Sequence, residues 1–216
     1  MTRLFCLLIG YFIGTISSAY IIGKLNGIDV RQHGSGNLGA TNTMRALGKK
    51  AGVAVMLLDF AKVIIAVLFV RLLFGSSFPD NRFLLQTYTL LGCILGHDFP
   101  FYLKFKGGKG CACMVGYIIF FHPIQAIIHA AISIMIYFLT HYVSLCTMFL
   151  YFTFFISVII LGSNQLLEIT SEHILEVNII YAVLLIITIL KHKSNIQRMI
   201  NHSENKTYLK KKTKSE

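Results

Sequence analysis

The sequence predicts an all-α polytopic membrane protein of about seven transmembrane helices, with the N-terminus outside and the C-terminus cytoplasmic. Three observations lead there. Of its 216 residues 55% are hydrophobic and only 13% charged, with a mean hydropathy of +0.68, whereas a soluble domain carries about 25% charged residues. Apolar runs able to cross a hydrocarbon core of about 30 Å recur from the first residues to Leu190. Sixteen of the 20 Lys and Arg residues fall in three segments, 24–50, 97–110 and 191–216. That clustering fits cytoplasmic loops under the positive-inside rule rather than a nucleic-acid surface.

Residues 4–23 form the first expected span, too long for a signal-peptide core and without an Ala-x-Ala site before Lys24. The second is 51–74, in which Asp59 and Lys62 are spaced to pair at i,i+3, because isolated charges in lipid are costly. Residues 83–96 follow, a short run of roughly 21 Å at 1.5 Å per residue. The run 111–140 would extend to roughly 45 Å and is expected to break at His122-Pro123. Proline there lacks the amide donor and disfavours helix in the preceding residue. Residues 143–162 and 174–190 complete the set. Splitting at Pro123 yields seven crossings and brings all three basic segments to the cytoplasmic side; a re-entrant half within 111–140 is the alternative.

Two Gly-x-x-x-Gly spacings, Gly10 to Gly14 and Gly92 to Gly96, permit close helix approach in lipid. The five cysteines have neither metal-ligand nor secreted-disulfide spacing and read as small apolar packers. Residues 1–205 constitute one integral-membrane domain, and 206–216 a basic, solvated cytoplasmic tail.

Chemistry concentrates in the three basic segments. Gly34-Ser35-Gly36-Asn37-Leu38-Gly39-Ala40-Thr41-Asn42 precedes Arg45 by three residues. Such a run either forms an amide nest for phosphate, with Ser35, Asn37, Thr41 and Asn42 as neutral donors and Arg45 as a bidentate cation, or is an ordinary flexible loop. Phe105-Lys106-Gly107-Gly108-Lys109-Gly110 opens the next helix, so amides and dipole could face an anion beside Lys109, though the pattern is not a Walker A loop. In the third segment, i,i+3 spacing puts His192 and Asn195 on one helical face. Each segment alone is also explained as a polar loop or helix end. Three on one leaflet indicate a phosphate-handling site at the membrane surface. No hydrolase nucleophile motif occurs, and the histidines lack metal-ligand spacing.

These motifs, in this order, resemble those of the acyl-phosphate:glycerol-3-phosphate acyltransferases of bacterial membranes: Gly34 to Asn42 with Arg45, Phe105 to Gly110, and Lys191-His192-x-x-Asn195-Ile196-x-Arg198. Asp59-x-x-Lys62, Gly96-His97 with Pro100, and Tyr142-Val143-Ser144-Leu145 add to the likeness. The resemblance implies acyl transfer from acyl phosphate to the 1-hydroxyl of glycerol 3-phosphate at the cytoplasmic face of the inner membrane. Lysophosphatidic acid and phosphate would be the products. No metal or cofactor is implied. The partners implied are the two substrates, membrane lipids and a functional link to an enzyme that makes acyl phosphate, with no nucleic acid.

Carried over by position, Arg45, Lys109, His192 and Asn195 would hold glycerol 3-phosphate, while Ser35, Gly36 and Asn37 with their amides would cradle the donor's phosphate. Thr147 stands where the family usually has serine, Cys113 where it has threonine, and Asn201-His202 where glycine is usual. Acyltransferases that use acyl-CoA or acyl carrier protein need His-x-x-x-x-Asp, a spacing no histidine here satisfies. A transporter of phosphorylated anions would want polar groups deeper in the spans. A purely structural subunit would not need three anion-type loops on one side.

Overall fold

A computed structural model describes residues 1–207, so the predicted tail is described only at Lys206 and Thr207, and 208–216 lie outside the described residues. Ten α-helices follow one another: α1 (Thr2–Gly14), α2 (Ser18–Leu25), α3 (Ala40–Leu47), α4 (Lys49–Phe74), α5 (Arg82–Asp98), α6 (Cys111–Phe121), α7 (Pro123–Thr140), α8 (Val143–Ser163), α9 (Ile174–Lys191) and α10 (Lys193–Ile200). Among the described residues five stretches are long and apolar enough to cross a membrane: Thr2–Leu25, which joins α1 to α2, then α4, α7 and α8, and Ser171–Lys191, which contains α9. The sequence led us to expect seven crossings. α5, with 17 residues, falls just short of this length class, and α6, with 11, reaches only roughly 16 Å, about half a hydrocarbon core. The break foreseen at Pro123 is present: His122 leaves helical geometry at φ −138° and ψ 61°, and Pro123 starts α7.

The core is built around α5, of whose 17 residues 14 are buried. It packs against α1, α4, α6 and α9. The two Gly-x-x-x-Gly pairs meet each other at the α1–α5 contact, where a Cβ on Gly10 would lie 2.2 Å from the Thr89 carbonyl and one on Gly92 2.1 Å from the Leu7 carbonyl. Hydrogen at those positions lets the backbones touch, which replaces the hydrophobic drive that lipid removes. Tyr117, Tyr151, Phe154 and Tyr181 fill the space between α6, α8 and α9. The outer faces remain apolar, most plainly on α7, where Ile124, Ile127 and Leu139 are exposed. As expected, the cysteines are free thiols, and Cys6, Cys93 and Cys113 are fully buried.

The first span departs from expectation. Rather than one helix over 4–23, it breaks between Gly14 and Ser18, with Ser17 extended. The freed backbone groups find side-chain partners, as a low-dielectric environment requires. Tyr102 donates its hydroxyl to the Thr15 carbonyl at 2.7 Å and accepts from the Ser17 amide, while Lys62 donates to the Ile16 carbonyl at 3.1 Å. At the molecule's other end, acids neutralise the arginines: Arg3 meets Glu176 at 2.6 Å and Arg82 meets Glu168 at 3.5 Å. The end holding the three basic motifs also pairs Arg31 with Asp29 and Arg198 with Glu204, but its cations outnumber its acids.

Candidate active site

The glycine-rich segment between α2 and α3 is shaped from within. Asn42, buried on the first turn of α3, donates to the carbonyls of Val30 and His33 and accepts from the Ser35 amide at 2.9 Å. Gly36, at φ +72°, makes the turn and gives its amide to His33. The Ser35 and Gly36 N–H groups thus have protein acceptors, and these two amides of the expected nest serve the loop. Asn42 is likewise a loop clamp rather than a donor to ligand. Ser35, Asn37, Thr41 and Arg45, with the Gly39 backbone, line a cavity of about 270 Å³, and Gly36 is not among its lining residues. Arg45, exposed on the last turn of α3, has no carboxylate partner among the described residues.

The second motif lies across from it. After α5 the chain doubles back, so that the Gly107 and Gly108 amides bond the Asp98 and His97 carbonyls at 3.1 and 2.9 Å. These two N–H groups hold the loop in place and are not offered to a ligand. The loop delivers Lys109 to the cavity and ends at Gly110, left-handed at φ +67°, which starts α6. Cys111 and Ala112, in the first turn of α6, also reach the cavity wall.

The C-terminal motif closes the third side. His192 caps α9, its Nδ1 2.8 Å from the Thr188 carbonyl. A carbonyl can only accept, so Nδ1 carries the proton and Nε2 is left as an acceptor. Burial holds this imidazole at a pKa of about 4, and it is neutral near pH 7. Asn195, one turn into α10, accepts from the Lys109 ammonium and donates to Glu204 at 2.7 Å. Thr147 on α8 completes the wall, its hydroxyl 3.0 Å from the Val143 carbonyl and 3.1 Å from the Cys111 sulfur.

Seven of the eight residues anticipated from the sequence, Ser35, Asn37, Arg45, Lys109, Thr147, His192 and Asn195, therefore share one cavity; Gly36 supports it. The sequence did not single out Ser144, Arg198 and Glu204. Glu204 is bonded by Arg198 at 2.7 Å, Asn195 at 2.7 Å and Ser144 at 3.1 Å. Burial alone would raise its pKa, but those donors more than offset it and hold it low. Arg198 carried a signal through its place in the third motif and Ser144 through Tyr142-Val143-Ser144-Leu145, whereas Glu204 carried none. Met56, Phe60, Val115 and Val143 give the cavity an apolar flank. A phosphate could sit among the cations while an alkyl chain lies along this flank.

Residues 4–202 match a protein-family model described as glycerol-3-phosphate acyltransferase. The chain is 38% identical over 204 residues to a glycerol-3-phosphate acyltransferase of Halalkalibacterium halodurans, covering 94% of each chain. It is 35% identical to one of Bacillus cereus over 99% of this chain and 100% of that one. Two crystal structures of PlsY, an integral membrane glycerol 3-phosphate acyltransferase, superpose with TM-scores of 0.80 and 0.78 at 33% and 32% identity. Each covers 96% of both chains; one is the glycerol 3-phosphate form and the other the lysophosphatidic acid form.

Proposed function

We propose that this chain, which belongs to the glycerol-3-phosphate acyltransferase family, moves a fatty acyl group from acyl phosphate to the 1-hydroxyl of sn-glycerol 3-phosphate, yielding lysophosphatidic acid and phosphate. One observation carries the reading: Arg45, Lys109, His192 and Asn195, spread over some 150 residues of sequence, line a single cavity with an apolar flank. In our reading the first two neutralise the acceptor's phosphate, Asn195 holds Lys109, and Ser35, Asn37 and Thr147 offer hydroxyl and amide groups to the donor. The three motif segments face the cytoplasm of a bacterial inner membrane, with α5 and the α6–α7 pair completing seven passes; the basic, acid-poor character of that end supports this orientation.

An acyl phosphate is a mixed anhydride and needs no protein nucleophile, only positioning and charge neutralisation of its leaving phosphate. The attacking hydroxyl must still lose a proton. A phosphate monoester, with a second pKa of about 6, is the stronger base beside a histidine held near 4. The substrate's own phosphate is thus the proton acceptor in this mechanism. His192, with Nε2 free to accept, takes a hydrogen bond from the acceptor's other hydroxyl, which orients the molecule and leaves the proton of the 1-hydroxyl to the phosphate. The decisive experiment offers purified protein glycerol 3-phosphate with acyl phosphate, acyl-CoA or acyl carrier protein in parallel. Product is expected from acyl phosphate alone; product from either thioester refutes the donor assignment.

The pH dependence follows from Lys109. Burial, aided by Arg198, lowers its pKa to about 8. The ammonium is present below that value and lost above it, so the KM for glycerol 3-phosphate should rise as pH climbs from 8 to 10, approaching tenfold per unit. Steady-state kinetics across that range check this, and Lys109→Arg should flatten the rise, since guanidinium stays charged.

A further inference from the structure

Beneath the glycine loop, at the floor of the same cavity, which Asp59 and His97 help to line, runs a chain of buried polar groups that the reading above leaves without a role. Ser18 on α2 donates to Asp59 Oδ1 at 2.9 Å, and Asp59 pairs with Lys62 one turn along α4 at 2.8 Å. The Lys62 ammonium also reaches His97 Nδ1 on α5 at 2.8 Å. An ammonium only donates, so Nδ1 accepts, and the ring has one orientation and one tautomer. On its far side the ring abuts the loop: a Cβ at Gly108 would lie 2.0 Å from Nε2, and the His97 carbonyl already takes the Gly108 amide.

We propose that Asp59, Lys62 and His97 form a positioning chain for the glycine loop, in which Lys62 fixes the imidazole of His97 and that ring is the platform that sets Gly108, and through it Lys109, against the substrate. Glycine at 108 is the complement of this platform, because its hydrogen allows backbone to rest directly on the ring. The charge pair beneath is shared by α2, α4 and α5, so the ring cannot turn without breaking an interhelical contact. None of the three needs to touch a reacting atom.

The inference rests on the reading of Lys109 as a phosphate-holding group, and one set of full-length variants separates the two. In purified protein, His97→Ala is expected to raise the KM for glycerol 3-phosphate about tenfold with kcat and the donor KM within about threefold. Lys62→Met should shift the same constant in the same direction. Gly108→Ala should raise it too, yet the double variant His97→Ala/Gly108→Ala should be no worse than Gly108→Ala alone, since the clash has lost one partner. A merely structural role instead lowers kcat through loss of active molecules and leaves both KM values alone. That result, or additive effects in the double variant, overturns the proposal. Thermal unfolding in detergent identifies variants that do not fold. If His97→Ala is among them, Gly108→Ala carries the test, and an unchanged KM there overturns the proposal. Lys109→Ala, whose turnover is too low for a KM, is the control by equilibrium binding: no change in its affinity for glycerol 3-phosphate would sink the site reading itself, whereas a large change beside inert His97 and Gly108 variants would sink only the positioning chain.

Discussion

Replacing Arg45 or Lys109 by alanine should lower acyl transfer by at least about 10³-fold, or roughly 4 kcal/mol of transition-state stabilisation. The size follows from what each cation faces. Arg45 projects from the last turn of α3 without a carboxylate partner among the described residues, so its charge there is uncommitted until an anion arrives. Lys109 is held by Asn195 on the opposite wall. In the proposed reading these two cations, across a partly buried cavity, act on the same phosphate, and charge-assisted bonds there are about twice as strong as neutral ones. Neither residue belongs to the buried core. Membrane extraction, size-exclusion profile and melting temperature should therefore match the parent while turnover vanishes. Near-normal activity in either purified variant would refute the assigned site.

The second large effect is on folding. Gly92→Val should prevent stable assembly, because its Cβ would lie 2.1 Å from the Leu7 carbonyl and 2.8 Å from the Tyr11 amide, and both atoms are backbone. A side chain in the way could turn aside; two helix backbones must separate along their length. Overpacking of ordinary cores costs about 1–3 kcal/mol, and a clash with rigid backbone at the most buried helix should exceed about 4 kcal/mol. The expected outcome is aggregated or proteolysed protein after membrane expression. A monodisperse variant with the parent's melting temperature would show that α1 and α5 do not meet as described.

Hydropathy made most of the helices legible, since each apolar run lies within a residue or two of an observed helix boundary, and Pro123 marked the joint between α6 and α7. It could not reveal the break at Thr15–Ser17. Serine and threonine are tolerated inside membrane helices, and the groups that repair this break, Tyr102 and Lys62, come from distant segments. The expected split at Pro123 leaves α6 only 11 residues, roughly 16 Å, a length that reading 111–140 as two crossings did not weigh. At the site, the cationic residues stood out because charge is scarce in this chain. Glu204 did not, since a lone acid past the last helix looks like any tail residue until Arg198, Asn195 and Ser144 are seen around it. The glycine loops were recognised for their composition, but the Ser35, Gly36, Gly107 and Gly108 amides serve the loops themselves.

The burial of α5 bears on how the protein is made. Within 17 residues α5 carries Arg82, Gln86, His97 and Asp98, a poor sequence for leaving the translocon into lipid unaided. Its glycine face fits α1, which the ribosome has delivered more than 60 residues earlier. The nascent chain therefore has to keep α1 at the insertion site until α5 emerges, and the first helix made serves as the receptor for one that the bilayer alone would not retain.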